Sequence, residues 1–204
     1  MRPGSEADIG ATNLATVARL ARELDPDPAH AFQVRKLACS LFDILVPLHG
    51  LALDARRLLE AAALLHDIGH SRDPKGHHKH SRDIILATPL PEFTDDDRRV
   101  VACVARYHRK ATPQPAHRVY CDLDRGRQDI VRRMAAILRI ADGLDRSHCC
   151  SASHVELENR GGEVILLVHQ RVPSEEDVRG ALRKRDLFED VYAVRLVIQT
   201  RMIS

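Results

Sequence analysis

Histidine and aspartate recur on apolar helical stripes of this chain, and that is where its chemistry is to be sought. Residues 61–69, AAALLHDIG, form an apolar helical run that ends in His66 and Asp67. Such side chains are costly to bury unless something pairs with them. Three other helical segments each carry one more. At i, i+3, i+4 and i+7 spacing, His30 aligns with Val34, Leu37 and Leu41, and His66 with Leu59 and Ala62. His108 aligns with Val101 and Val104, and Asp142 with Met134 and Leu138. Each therefore faces the interior near a helix end. A single one reads as a satisfied core histidine or a capping aspartate; four on four helices point to one shared site. Neutral imidazole and carboxylate are the ligand set for Zn, Fe, Mn, Co or Ni. A cation also removes the cost of burying Asp67 and Asp142. Adjacent helical residues lie about 100° apart. His66 and Asp67 can therefore hold one ion only near a helix edge; otherwise Asp67 bridges two ions while His66 binds one.

The elements that must position these residues are legible from period and punctuation. A first helix spans residues 13–24 and is broken by Asp25-Pro26-Asp27-Pro28. A second runs over about 29–47. A third opens at Leu53-Asp54 with Asp54 as N-cap, carries His66, and is ended by Gly69. A fourth covers 77–86. A fifth is capped by Thr94, with Asp95, Asp96 and Asp97 in the first turn where the helix dipole favours acids, and it carries Val100 to His108. A loop over about 111–123 leads to a sixth helix over about 126–146. After Cys150 the pattern changes. Val155-Glu-Leu-Glu, Asn159-Arg-Gly-Gly and Val164-Ile-Leu-Leu-Val signal a β-hairpin. Ser174-Glu-Glu-Asp opens a helix carrying Val178, Leu182 and Phe188, and Val194-Arg-Leu-Val-Ile reads as a last strand whose partner the pattern leaves open. The expectation is a mainly α chain: a helical domain over 1–150 and a small ββαβ appendage over 151–204.

Composition excludes several classes. Aromatics are 3% and tryptophan is absent, so Ala, Leu, Val and Ile must fill the core, which favours packed helices over a sandwich. A formal charge of +2 does not by itself imply nucleic acid. No run approaches the roughly 20 apolar residues of a membrane span. No apolar stretch of signal-peptide type follows residues 1–11, so a cytosolic protein is expected. The five cysteines include no CxxC pair, and Cys39 and Cys103 fall inside helical apolar patterns. They read as small buried hydrophobes in a reducing compartment, not a disulfide framework or a structural zinc site.

The segments LLEAAALLHDIGH, GHHKHS, ARYHRKATP and LRIADGLDRSH, in that order, resemble the C-terminal HD-type domain of the exopolyphosphatase and guanosine pentaphosphate phosphatase family. More widely, His30, His66-Asp67 and Asp142 resemble the pattern of HD-domain metal-dependent phosphohydrolases. The resemblance is strong from about Ala29 to His148 and loose over the sheet. It implies an HD-domain helical bundle and a site of His30, His66, Asp67, His77, His108 and Asp142. It implies a divalent transition metal, two ions in the histidine-rich members, from among Mn, Fe, Co, Ni or Zn, with Mg as a further option. His77 is taken over His80, which shares its face with Ile84, because Ser81 matches the small residue that follows the ligand in related proteins. Asp145 competes with Asp142 but adjoins Arg146, which it could simply pair with. The family's large enzymes carry an N-terminal actin-like phosphatase region that this sequence does not show, so that region's activity is not expected here.

A two-metal site supplies hydroxide near neutral pH and neutralises a phosphoryl group. Asp67 is then the catalytic residue, bridging the ions and orienting the hydroxide. Phosphate needs cationic clamps. Arg106, Arg109 and Lys110 flank His108, Lys75 and Lys79 flank His77, and Arg139 and Arg146 flank Asp142. Residues 179–185, RGALRKR, read as the exposed face of an amphipathic helix, and His148 with Cys149-Cys150 as a helix end. The Gly-Tyr-Pro motif of the cyclic-dinucleotide branch is replaced by Arg109-Lys-Ala-Thr-Pro, which disfavours that substrate. The expectation is a metal-dependent phosphohydrolase acting on a phosphoester or phosphoanhydride of a nucleotide or polyphosphate. The competing reading is a non-catalytic module that binds polyphosphate or an alarmone-type nucleotide, its metal structural or vestigial. Neither reading needs a membrane or a specific nucleic acid. The resemblance also suggests a homodimer, for which an exposed sheet edge is one route.

Overall fold

The computed structural model describes residues 14–203. The expectation for residues 1–11 and the start of the first helix at Asn13 lie outside them. The helices in order are α1 (Ala15–Leu24), α2 (Pro28–Ile44), α3 (Val46–His49), α4 (Leu53–Leu65), α5 (His77–Ala87), α6 (Asp95–Arg106), α7 (Arg118–Cys121) and α8 (Arg125–Gly143). Then come β1 (Ala152–Arg160), β2 (Glu163–Gln170), α9 (Glu175–Leu182), α10 (Asp186–Tyr192) and β3 (Arg195–Met202). No helix among the described residues is long and apolar enough to cross a membrane.

The protein is mainly helical with a small C-terminal sheet, as the periodicities imply. The single helix expected between the second and third strands is two, α9 and α10, so the appendage is ββααβ. β1 and β2 are antiparallel, and β3 lies parallel to β2 on its other side. A parallel pair needs a crossover, and α9 and α10 supply it.

The core sits around α4, which packs on α2, α6 and α1 and touches α8. Its second half, Leu59 to Leu65, is buried all round. The alanines at 61, 62 and 63 let neighbouring helices approach closely. Arg35 on α2 and Glu60 on α4 form an ion pair at 2.7 Å, with the Glu60 side chain fully buried. Such a pair sets the register of two helices, and these two carry His30 and lead into His66. The hydrophobic cluster continues into the C-terminal elements through Val164, Leu166, Val168, Ala181, Leu187, Phe188 and Leu196.

Three local expectations are corrected. Asp54 does not cap α4; Ala52 stands at the cap and Asp54 lies in the first turn, where its charge complements the dipole. α4 ends at Leu65 and does not run to Gly69: His66 is its last αR residue, and the chain tightens into a 3-10 turn over Ile68–Ser71. α6 likewise ends at Arg106, which leaves His108 just beyond it. Thr94 does cap α6, and Asp97 completes a capping box.

Gly69 serves approach, not helix termination. A Cβ there would lie 2.1 Å from the His77 carbonyl oxygen and 2.4 Å from the Ser81 nitrogen. The contact is locked by Ser81 Oγ, which accepts from Gly69 N at 2.9 Å and donates to His66 O at 2.6 Å. Gly69→Ala must therefore push α5 off the turn that carries Asp67. Overpacking of this kind costs about 2 kcal/mol, which for a chain of this size is roughly 4–8 °C in Tm; thermal denaturation by circular dichroism checks it.

Candidate metal centre

The imidazoles of His66, His77 and His108 are oriented by one device. In each, Nδ1 meets the backbone carbonyl three residues earlier: Ala63 at 2.7 Å, Pro74 at 3.1 Å and Ala105 at 2.7 Å. For His66 and His108 those carbonyls lie in the last turns of α4 and α6, and that of Ala105 also accepts from Tyr107 N and His108 N. A carbonyl only accepts, so Nδ1 carries a proton, and in the neutral ring Nε2 presents a lone pair. All three lone pairs are aimed at Asp67. His77 Nε2 is 3.2 Å and His108 Nε2 3.4 Å from Asp67 Oδ1, and His66 Nε2 is 3.6 Å from Oδ2. None of these contacts has hydrogen-bond geometry. Both His66 Nε2 and Asp67 Oδ1 are buried with no hydrogen-bond partner.

His30 and Asp142 form the other side. His30 ring stands 5.3 Å from that of His66, and its Nε2 lies 3.5 Å from Asp142 Oδ1. His30 Nδ1 bonds to Asp145 Oδ2 at 2.8 Å. Asp145 therefore does not pair with Arg146, as its neighbourhood in sequence suggests; fully buried, it holds the histidine, and its other oxygen accepts from Cys150 N at 2.8 Å. The six residues that the family resemblance implies are thus brought together, and His77 rather than His80 stands at Asp67.

These donors fit a divalent ion. Ligand atoms about 2.1 Å from one metal, 90–110° apart, are roughly 3.0–3.5 Å from each other, close to the separations around Asp67. Donor atoms of His30, His66 and Asp67 lie within 4.8 Å of one another, as do those of Asp67, His70 and His77. Asp67 belongs to both groups, the arrangement that a carboxylate shared by two ions requires.

The electrostatics of the metal-free protein are consistent with this. Burial opposes ionisation of Asp67, but the surrounding imidazoles outweigh it and hold its pKa well below the usual carboxylate range. Burial drives the pKa of His108 well down and keeps the ring neutral. For His30, burial favours the neutral ring, but Asp142 and Asp145 reverse this and push the pKa up to about 10. Asp142 pays for burial through the ammonium of Lys184, in direct contact with Oδ2, and through His30; its pKa lies well below the ordinary value.

Several members of the site escape sequence reasoning. Lys184 lies within RGALRKR, read above as an exposed face; its side chain is instead largely buried against Asp142. It gets there because α8 and α9 cross at glycines: a Cβ on Gly143 would lie 2.5 Å from Ala181 Cα, and one on Gly180 2.5 Å from Gly143 O. His148 stacks on His30 at 4.0 Å and bonds to Asp27 Oδ2 at 2.8 Å, while Asp27 caps α2 at the His30 nitrogen. His70 stacks on His77 at 3.8 Å. Asp25, in the Asp-Pro repeat, is buried with Oδ2 unpartnered, and burial raises its pKa. The only sequence signal for these was proximity to a predicted ligand or to a helix break.

The expected phosphate clamps divide. Arg109 NH1 donates to His77 Nε2 at 3.3 Å, so this lone pair has a donor in the metal-free protein. Lys79, Lys110 and Arg146 are exposed. Arg106 faces elsewhere, over the Tyr107 ring and lining a separate cleft with Arg82, His117 and Arg118. Arg139 is buried and structural, donating to the Tyr107, Lys110 and Lys184 carbonyls and to Asp186.

Fold and site together define a helical bundle built around a buried histidine–aspartate cluster. The chain belongs to the Ppx/GppA phosphatase domain III family, whose model matches residues 13–187. A stretch of 58 residues is 41% identical to a guanosine-5'-triphosphate,3'-diphosphate pyrophosphatase of Pseudoalteromonas translucida (strain TAC 125), and covers 28% of this chain and 12% of that relative. The shared part is thus a small fraction of that enzyme's length.

The raised pKa of His30 carries a sign. Its stabilisation is complete below the unfolded value of 6.5 and is lost as pH rises toward about 10. In metal-free protein, Asp145→Asn should therefore lower Tm most below pH 6.5, and the gap from wild type should close progressively up to pH 10. Thermal melts in chelator across that range measure it.

Proposed function

We propose that the protein is an HD-type, metal-dependent phosphohydrolase acting on a phosphoester or phosphoanhydride of a nucleotide or polyphosphate. The observation that carries this reading is the buried pair without partners, His66 Nε2 and Asp67 Oδ1, in the middle of three converging lone pairs. A divalent cation satisfies acceptors that face one another. On this reading His30, His66, Asp67, His77, His108 and Asp142 would hold the metal, Asp67 belonging to both donor groups.

When bound, divalent ions in such a site activate water and neutralise a phosphoryl group. The chain's own residues do the rest. The backbone carbonyls and Asp145 fix the imidazoles, as partners behind metal-binding histidines do. Arg109 and Lys184 are placed to take phosphate oxygens. Lys79, Lys110 and Arg146 are available to outer phosphates of a longer substrate. A nucleotide polyphosphate is the substrate class named for the relative, and it comes to this chain as part of the proposal.

One observation favours the alternative, a non-catalytic nucleotide- or polyphosphate-binding module. Lys184 brings an internal cation to Asp142, so part of the charge is balanced without metal. Lysine cannot reach every lone pair around Asp67 at once, which keeps the enzyme reading ahead.

The deciding experiment joins metal analysis of purified protein to a phosphatase screen with Mn, Fe, Co, Ni, Zn and Mg, on wild type and Asp67→Ala in parallel. The expected result is bound transition metal in wild type and a loss of turnover of roughly 100-fold or more in the variant. Equal turnover in Asp67→Ala sinks the metal-hydrolase reading. Well-folded wild type with neither metal nor turnover establishes the module instead.

A further inference from the structure

A second histidine–carboxylate group lies on the sheet, away from the bundle. His154 and Glu156 are two residues apart on β1, so both side chains stand on one face. His169 on β2 is the register partner of His154, and partners point to the same face. The two imidazoles stack at 3.9 Å and 14°. Both present Nε2 to one oxygen: Glu156 Oε1 is 3.2 Å from His169 Nε2 and 3.8 Å from His154 Nε2. The three donor atoms lie within 4.8 Å of one another.

His169 supplies an independent observation. Its ring is 7% exposed, and its Nε2 is buried with no hydrogen-bond partner although it is aimed into the group. Its contact with Glu156 lacks hydrogen-bond geometry. Stacked imidazoles repel if both are protonated, and one proton on His169 Nε2 lies outside hydrogen-bond geometry with Glu156, so a single proton does not satisfy the trio. A cation bound to both rings and the carboxylate does.

We propose that His154, Glu156 and His169 form a surface site for a late first-row divalent cation of the Zn²⁺ class, with water at the open position. Tetrahedral ligands about 2.05 Å from zinc are roughly 3.3 Å apart, and the separations here bracket that value. Two imidazoles and one carboxylate select Zn²⁺, Ni²⁺, Co²⁺ or Cu²⁺ over the oxygen-seeking Mg²⁺ and Ca²⁺. His154 and Glu156 are half exposed, which gives the ion a path in. The site joins β1 to β2 beside the junction with α2, where Gln33 donates to Ala152 O and Lys36 to Ser153 O. Occupancy would staple the hairpin where it docks on the helix that carries His30. Ligands and ion here are independent of the bundle site, and so is the inference.

The test uses ZnCl₂ on wild type, His154→Ala and Glu156→Ala. Both substitutions are at exposed positions and leave the core intact. Equilibrium dialysis with metal analysis should show one Zn²⁺ per chain fewer in each variant, with any remaining bundle-bound metal and any turnover unchanged. In wild type, Zn²⁺ should shift the imidazole NMR signals of His154 and His169, and MgCl₂ should not. Equal Zn²⁺ stoichiometry in wild type and both variants overturns the proposal. So do His154 and His169 signals that move only at millimolar Zn²⁺.

Discussion

A buried carboxylate enclosed by imidazoles whose Nδ1 atoms are held by backbone carbonyls is the constraint on which this protein is built. Asp67 lies among His66, His77 and His108, and the proton of each ring is committed to a backbone carbonyl. Lone pairs and carboxylate then face one another across 3.2–3.6 Å. Desolvation alone would drive Asp67 to protonate. The surrounding imidazoles oppose that and hold it ionised, and on the proposed reading a cation is preferred at this point.

The rest of the fold serves that preference. The histidines sit at or just beyond helix ends, where the chain can turn and where a nearby carbonyl or carboxylate holds Nδ1. Breaking α4 at His66 resolves the angular problem of adjacent residues: Asp67, at φ −110° and ψ 1°, leaves the helix and can face the same point as His66. The 3-10 turn then needs α5 pressed against it, which Gly69 and Ser81 allow. The Arg35–Glu60 pair ties together the helices that bring His30 and His66. The C-terminal elements belong to the same design, since the α8–α9 crossing delivers Lys184 to Asp142 and one hydrophobic cluster runs from the bundle to the sheet.

Much of the bundle was legible from local pattern. The 3.6-residue period, the Asp-Pro break and the Thr94 capping box are short-range signals, and they mark α1, α2, α6 and α8 to within a few residues. Ends without a local signature were misplaced. Nothing near Asp54 distinguishes an N-cap from a first-turn acid, and Gly69 looks like a helix stop because its actual constraint, the α5 backbone, is remote in sequence. Within the site, residues on apolar stripes stood out because a polar side chain there is anomalous. Lys184 and His148 did not, because each occupies a position where a polar residue is ordinary, and Asp145 stood only as a competitor of Asp142.

Sequence by itself determined the helical class, the appended hairpin, and the polar residues on apolar stripes at His30, His66, His108 and Asp142, since these follow from periodicity and from the cost of burying polar groups, while His77 came from the family resemblance. Tertiary structure alone decided which of Asp142 and Asp145 meets each nitrogen of His30, and where the final strand pairs. Asp142 and Asp145 are three residues apart and chemically identical. Only the position of His30, 115 residues away along the chain from Asp145, puts one at its Nε2 and the other at its Nδ1.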